Sequence, residues 1–511
     1  MKYKFTFFLL LPFLFLTAMA QTKERPTLDD LMWGGTNYWN LQPPSVQTTW
    51  WGDALVQTNV NDVRLILDAK GKKLGTDGQV LFDLAALNSV LDTARYGKVH
   101  NLIGTTFPEG TKTVAKITLA KAIVAYDWKQ KAIVWTLPLQ RGIGHQDFCN
   151  ASRSLAFTKD YNLFVTTSDG RTHQVSTDGN RELLYGTSVH RDEFGIHKGT
   201  FWSPKGDQLA FYRMDQSMVT DYPQVNTLVT PEVRIAQPDP DKYPMAGMAM
   251  HKVTVGIFSP ATDRTVWLEL GDVTDRYFTN LSWSPDSKTL YIMEVPRSQK
   301  RCDLVAYEAT TGKRLKTLYT ETNERFVEPQ NPLTFLPWDE HKFIYQSERD
   351  GFNHLYLFDT NGRMLRQLTQ GKFEVLDLLG FNTAKRSIIV RTNESGHIRE
   401  NLYAVDFKTG RRTLLDNGVG LHRASLSENG RYLRDTWSTP TDYRHIDIKS
   451  TEKKQTVSSL LNAENPWRNF TMPEVENGSI LAADGKTPLY YRLVKPVDFD
   501  PTNKYPAVVY V

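Results

Sequence analysis

Along most of this chain, apolar and polar residues alternate over short runs set apart by turn residues. Phe201-Trp202-Ser203-Pro204-Lys205-Gly206 leads into an alternating stretch from Gln208 to Arg213, and Ser282-Trp283-Ser284-Pro285-Asp286 leads into Thr289 to Val295. The proline with its glycine or aspartate supplies the angles of a tight turn, and the alternation that follows fits a half-buried antiparallel strand. Weaker copies at residues 49–53, 104–113, 157–162, 335–339, 381–385 and 426–430 bring the copies to eight. Their spacing is mostly about 45–55 residues, the length of one four-stranded propeller blade. The pattern predicts an all-β fold, an eight-bladed β-propeller over residues 21–462.

Several departures from the repeat have their own meaning. The long interval between Ser203 and Ser284 requires an insertion, and residues 219–250, with Pro223, Pro231, Pro238, Pro240 and Pro244, predict an extended arm or hairpin there. Closing strands end as Ala125-Tyr126-Asp127, Leu357-Phe358-Asp359 and Ala404-Val405-Asp406. The turns Asp359-Thr360-Asn361-Gly362 and Lys408-Thr409-Gly410 then join outer strands. Leu84, Leu87, Val90 and Leu91 recur at helical spacing and predict an amphipathic helix over residues 81–93, inserted and packed on the propeller. From residue 463 the blade pattern stops. Ala483-Asp484-Gly485 through Tyr490-Tyr491 and Leu493 reads as a hairpin. Tyr505-Pro506-Ala507-Val508-Val509-Tyr510-Val511 reads as a buried parallel strand, so residues 463–511 are expected to be a linker and the truncated start of an α/β-hydrolase domain.

Composition narrows the function. With 40% apolar and 23% charged residues over 511 positions, the chain can bury a large core. A formal net charge of +4 with no basic run beyond pairs such as Arg411-Arg412 argues against nucleic acid as a partner. Lys2 and Lys4, an apolar block over residues 5–16 and Ala18-Met19-Ala20 form the layout of a secretory signal peptide over residues 1–20, and so predict export to the periplasm or outside the cell. The block is too short to span a bilayer, and no membrane span is expected once it is removed. Cys149 and Cys302 fall in different repeats and are expected as thiols. No metal site or cofactor is expected, since there is no HExxH and no Cys/His cluster. His190 and His197 are expected to be surface or packing histidines.

Propeller aromatics are core by default, so function is expected in loops. The most unusual loop is Ser188-Val189-His190-Arg191-Asp192-Glu193-Phe194-Gly195-Ile196-His197, which crowds ionisable groups just before a blade turn. Neighbouring carboxylates facing a cavity bind a cationic group such as an ammonium through charge-assisted hydrogen bonds. A solvated acidic loop with Arg191 as its internal partner is the plainer alternative. A serine nucleophile of the G-x-S-x-G type is absent, and Asn477-Gly478-Ser479-Ile480-Leu481 lacks the glycine spacing. No catalytic residue is therefore assigned, and the chain is expected to be inactive by itself.

On these residues the sequence resembles the dipeptidyl-peptidase IV family of serine peptidases, and within it the bacterial prolyl tripeptidyl peptidases. The stretches that carry the resemblance include Glu193-Phe194-Gly195-Ile196, Lys198-Gly199-Thr200-Phe201-Trp202-Ser203-Pro204, Leu209-Ala210-Phe211-Tyr212-Arg213-Met214-Asp215, Tyr243-Pro244-Met245 and Asn353-His354-Leu355-Tyr356-Leu357. The resemblance implies an eight-bladed propeller capping a hydrolase domain. It also implies release of short peptides from free N-termini after proline. It further implies that an acidic pair holds the substrate's α-ammonium, here Glu193 and Asp192, with aspartate standing where dipeptidyl members carry a first glutamate. An arginine that many members present from an early blade has no clear match between Phe107 and Trp128. Members often dimerise, so a homodimer of the full-length protein is implied. The rival expectation is a non-catalytic propeller that binds peptides or partner proteins.

Overall fold

The computed structural model describes residues 23–74, 77–227, 230, 232 and 234–511, so the segment expected to be a signal peptide, residues 1–20, lies outside the described residues. The chain divides into two compact units, one of residues 46–441 with 445–462, the other holding the described residues up to 45, residues 442–444 and residues 463–511.

The larger unit is an eight-bladed β-propeller, built from consecutive antiparallel sheets. The first blade is Thr48–Trp51, Ala54–Thr58, Asp62–Leu67 and Gln79–Asp83, paired in that order. The second has Val114–Thr118, Ala122–Asp127 and Ala132–Pro138, with Thr106 bridging Lys116 where a further strand would lie. The third to eighth span residues 144–174, 183–267, 276–322, 334–367, 375–414 and 421–462. The alternation decides how the blades stack. On Thr289–Pro296, Leu290 and Ile292 enter a cluster with Tyr212, Val253 and Val255 of the fourth blade, while Tyr291, Met293 and Val295 enter another with Phe343 and Tyr345 of the sixth. Each of the eight core clusters spans one such seam, including Leu55 and Leu67 of the first blade against Tyr432 and Ile448 of the eighth.

The Ser-Pro turns have a shared construction. The Ser203 and Ser284 hydroxyls accept the amides of Gln208 and Thr289 at 3.1 and 2.9 Å, and Ser427 accepts that of Tyr432 at 3.1 Å. Each serine thus satisfies an amide at the opening of the next strand, or, for Ser203, one residue before it. The copy at residues 157–162 falls one strand late: it is a two-residue hairpin with Asp160 and Tyr161 at φ 49° and 65°, and the third blade's equivalent turn is the one between Cys149 and Ser154. Its Asp-Tyr-Asn chemistry imitates the repeat's turn signal while serving a different corner.

The insertion is a hairpin arm, Asp221–Tyr222 with Asp241–Lys242 and Val225–Asn226 with Gln237–Pro238. The predicted helix is shorter than its pattern. Residues 79–83 finish a strand, and the Asp83 carboxylate caps a helix over Leu84–Val90 by accepting the Ala86 amide at 2.7 Å. Leu87 and Leu91 pack with Val63, Phe82 and Trp128. Both cysteines are buried free thiols.

In the smaller unit, Glu24 bridges Phe470 in parallel, and Val475–Leu481 pairs with Pro488–Val494 around the Asp484-Gly485 turn. Residues 504–511 form no strand and are exposed. An apolar run becomes a strand only against a hydrogen-bonding neighbour, and no described strand pairs with it.

Candidate functional site

The fourth blade's first-strand position is split. Leu183–Tyr185 pairs with one end of Leu209–Asp215 and Thr200–Trp202 with the other, so residues 186–199 leave the sheet as an excursion that carries Asp192 and Glu193. Its tip, over His190–Gly195, is a kinked, irregular turn and not a helix. His190, Arg191, Asp192 and Phe194 all have positive φ, between 54° and 63°, which costs about 1–2 kcal/mol for each non-glycine residue. Gly195 follows at φ 68°, and a Cβ there would stand 2.1 Å from the Gln330 carbonyl oxygen.

Buried contacts offset this strain. Phe194 packs among Val327, Leu333 and Met293, with its ring 4.9 Å from that of Tyr277. His190 is 2% exposed, and its Nε2 accepts the Phe278 amide at 3.2 Å. Its Nδ1 lies 2.9 Å from Nε2 of His251, the residue that precedes the strand Lys252–Ser259. His197 is exposed. The packing expectation thus describes His190, and the surface one His197.

The charged side chains part company. Arg191 turns to the arm, where its Nη1 meets Asp241 Oδ2 at 2.8 Å and its guanidinium lies 4.5 Å from the Tyr243 ring centre. It is therefore not the internal partner of the acidic pair. Asp192 is exposed and accepts the Ser188 hydroxyl. Glu193 is exposed and, among the described residues, has no ion pair. Its charge is felt by Tyr277, whose hydroxyl pKa burial raises, with Arg297 acting the other way. Arg297 is itself held by Asp275 at 3.0 Å.

Beside this loop is a cleft of about 210 Å³ whose lining includes Glu321, Arg325, Phe326, Val327 and Glu328. Val327 joins it to the site, since it packs with Phe194 and donates its amide to the Gln299 carbonyl at 2.6 Å. Phe326 is 49% exposed there. Glu348 also lines the cleft, and burial first, then the neighbouring Glu374, Glu328 and Glu321, raise its pKa. Sequence reasoning missed Tyr277, His251, Arg297 and Phe326. Each lies far along the chain from Glu193 and sits in an unremarkable stretch, so only the excursion's oddity was visible. Among the described residues, no group of three His, Cys, Asp or Glu is placed to hold a metal ion, and no helix is long and apolar enough to cross a membrane.

Residues 110–443 match the family model for the dipeptidyl peptidase IV N-terminal region. The chain belongs to the dipeptidyl peptidase IV family. It is similar to a crystal structure from Bacteroides ovatus assigned as a dipeptidyl aminopeptidase IV, at 40% identity and TM-score 0.86, covering 94% of this chain and 69% of that one. Porphyromonas gingivalis dipeptidyl peptidase 4 shares the fold at 23% identity and TM-score 0.74, with 95% and 69% covered. The predicted dipeptidyl-aminopeptidase B of Pyrenophora teres f. teres is 25% identical over 406 residues, which cover 70% of this chain and 43% of that protein. For the predicted dipeptidyl peptidase 4 of Aspergillus fumigatus the figures are 25% over 374 residues, 70% and 48%. The chain thus spans less than half the length of these curated relatives.

Proposed function

We propose that this chain is the substrate-selecting propeller of an exported post-proline exopeptidase. Glu193 binds the α-ammonium of a peptide with a free N-terminus, and so fixes how far the peptide reaches toward the reacting serine. The observation that carries this reading is a carboxylate with no ion-pair partner among the described residues, exposed at the tip of a strained turn whose flanking side chains are buried. A charge of that kind gains most from an incoming ammonium, since little rearrangement is needed to meet it. Asp192 is the weaker partner, because the Ser188 hydroxyl already occupies one of its oxygens. Phe326 and the charged side chains of the cleft beside it offer apolar and polar contact to the residues that follow the ammonium.

The resemblance implies that the serine, its base and its acid lie in a part of the family's length beyond the residues matched here, where acyl transfer would follow the usual triad and oxyanion-hole logic. Family membership supports peptides as substrates. Proline selectivity and the choice between two and three released residues rest on the resemblance.

The test is kinetic and uses the full-length gene product. Glu193→Gln removes the charge and keeps the shape. The expected outcome is a rise of about 10–100-fold in KM for prolyl peptide amides with a free amino terminus, the value of one charge-assisted hydrogen bond. A serine-directed acylating probe should react almost as before. Equal loss for peptide and probe would refute the ammonium role. Export is tested by sequencing the N-terminus of the secreted protein, which is expected to begin at Gln21; an intact Met1 would refute processing at that site.

A further inference from the structure

We infer that His190 and His251 are positioning residues for Glu193, a neutral histidine pair that docks the ammonium-binding turn onto the base of the arm. This inference rests on the Glu193 reading above. Sheet pairing holds the excursion only at its two ends, Tyr185 and Thr200. Between them the backbone runs through successive left-handed residues, a conformation that a chain abandons unless its surroundings impose it.

The hydrogen bonds of His190 impose it, and they also settle which nitrogens carry protons. The Phe278 amide can only donate, so the His190 Nε2 that faces it at 3.2 Å is an acceptor. The His190 proton is then on Nδ1, which donates to Nε2 of His251 at 2.9 Å. His251 Nε2 must in turn be unprotonated. Both rings are neutral, and the relay ties three elements together: the Glu193 turn, the innermost residues of the arm and the strand Arg276–Trp283 of the fifth blade. The Tyr277 ring stands edge-on to His190 at 5.0 Å and also touches Phe194 at 4.9 Å, so one aromatic residue braces the turn on both sides of Glu193.

The charges around the pair favour the neutral state. Burial comes first, and the cations Arg191 and Arg297 then act on His251, bringing its pKa down to about 4. Those two arginines are pinned by Asp241 and Asp275, and Arg297 also donates to the Met245 carbonyl of the arm at 3.3 Å. Arg191 and His190 are adjacent, and each is held by the arm, one through Asp241 and the other through His251. The arm base therefore grips the residues immediately before the acidic pair at two points.

A double-mutant cycle in the full-length gene product tests this, with KM, kcat and thermal midpoint as readouts. His251→Ala withdraws the acceptor, and His251→Phe does the same while keeping the ring's volume should the alanine variant not fold. Either is expected to raise KM for free-amine prolyl peptides about tenfold with kcat little changed, the pattern of lost binding. His251→Gln, whose amide oxygen can take the His190 proton, is expected to restore KM to within about threefold of the parent. In a Glu193→Gln background the His251 substitutions should add nothing further, because the carboxylate they position is gone. Multiplying effects, or an unchanged KM in His251→Phe beside a raised KM in Glu193→Gln, would overturn the positioning role and leave the ammonium reading intact. An unchanged KM in Glu193→Gln would overturn the ammonium reading and the role of the pair with it.

Discussion

His422 of the eighth blade is fully buried, with Nδ1 3.0 and 2.8 Å from the two Asp435 oxygens and Nε2 2.9 Å from the Val419 carbonyl oxygen. With Asp435 ionised, acceptors on both sides of the ring favour a proton on each nitrogen, while burial raises the Asp435 pKa as well. Burial opposes charge on the imidazole, but Asp435 and Asp416 prevail and the His422 pKa stands above its usual 6.5. Lys449 lies 3.8 Å from Asp435 and Trp437 stacks on the imidazole. A raised folded-state pKa means that the pair's stabilisation is complete below about 6.5 and is lost as pH climbs through the higher folded value. Thermal midpoints measured from about pH 6 to about pH 9 are therefore expected to fall for the parent protein. Asp435→Ala, which strands a buried cation, should cost about 3–5 kcal/mol in denaturant titrations at the lower pH. A second prediction at this scale concerns Gly195. With φ 68° and a Cβ that would sit on the Gln330 oxygen, Gly195→Ala must move the turn. The expected cost is about 1–3 kcal/mol in the thermal melt, together with a higher KM for free-amine peptides. Neither feature was legible in the sequence. Asp435 comes from the neighbouring strand and Gln330 from a loop far along the chain, and a histidine or glycine alone carries no mark of them.

At the scale of elements, the recurring turn is the clearest case of sequence setting local structure. A serine before the proline accepts an amide at the opening of the next strand or one residue before it, and a glycine or polar residue completes the corner. Ser284 is buried, so Ser284→Ala leaves the Thr289 amide without its partner, and a loss of about 1–3 kcal/mol is expected from urea titration. The outer hairpins at Asp359 to Gly362 and Asp406 to Gly410 fall where their turn residues predicted, with the aspartate side chains accepting turn amides. Element edges were harder to read. Leucines at helical spacing extended the predicted helix back to residue 81, yet residues 79–83 pair with Asp62–Leu67, because a sheet edge offers hydrogen bonds that a short helix cannot match. The misplaced copy at residues 157–162 has the same origin, since turn residues signal a corner without saying which pair of strands it joins.

At the largest scale, the propeller unit is a ring of eight separate sheets, with a core cluster at every seam and no strand shared across any of them. Seven seams join blades that follow one another in the chain. The eighth, between the last blade and the first, shares no strand and is held by side chains and turn contacts: Trp50 donating to Ser425 at 3.1 Å, the Asn429 amide donating to Asp53 at 3.1 Å, and Tyr432 packed with Leu55 and Leu67. Tyr432→Ala should cost about 3–5 kcal/mol, visible as a lower denaturation midpoint. The eight-fold repeat, its antiparallel strands and the arm inserted in the fourth blade were written in the sequence. A period of two and a turn every few residues are local properties that a chain carries without knowing its neighbours. The presentation of Glu193 was decided only by tertiary structure. His190 meets a histidine from the base of the arm and an amide from the next blade, Phe194 meets Val327, and Gly195 meets Gln330. Burial and hydrogen bonding between residues this distant arise only when neighbouring blades pack, so the sequence by itself placed the carboxylate on a loop, and folding determined that it would be held there exposed and, among the described residues, without an ion pair.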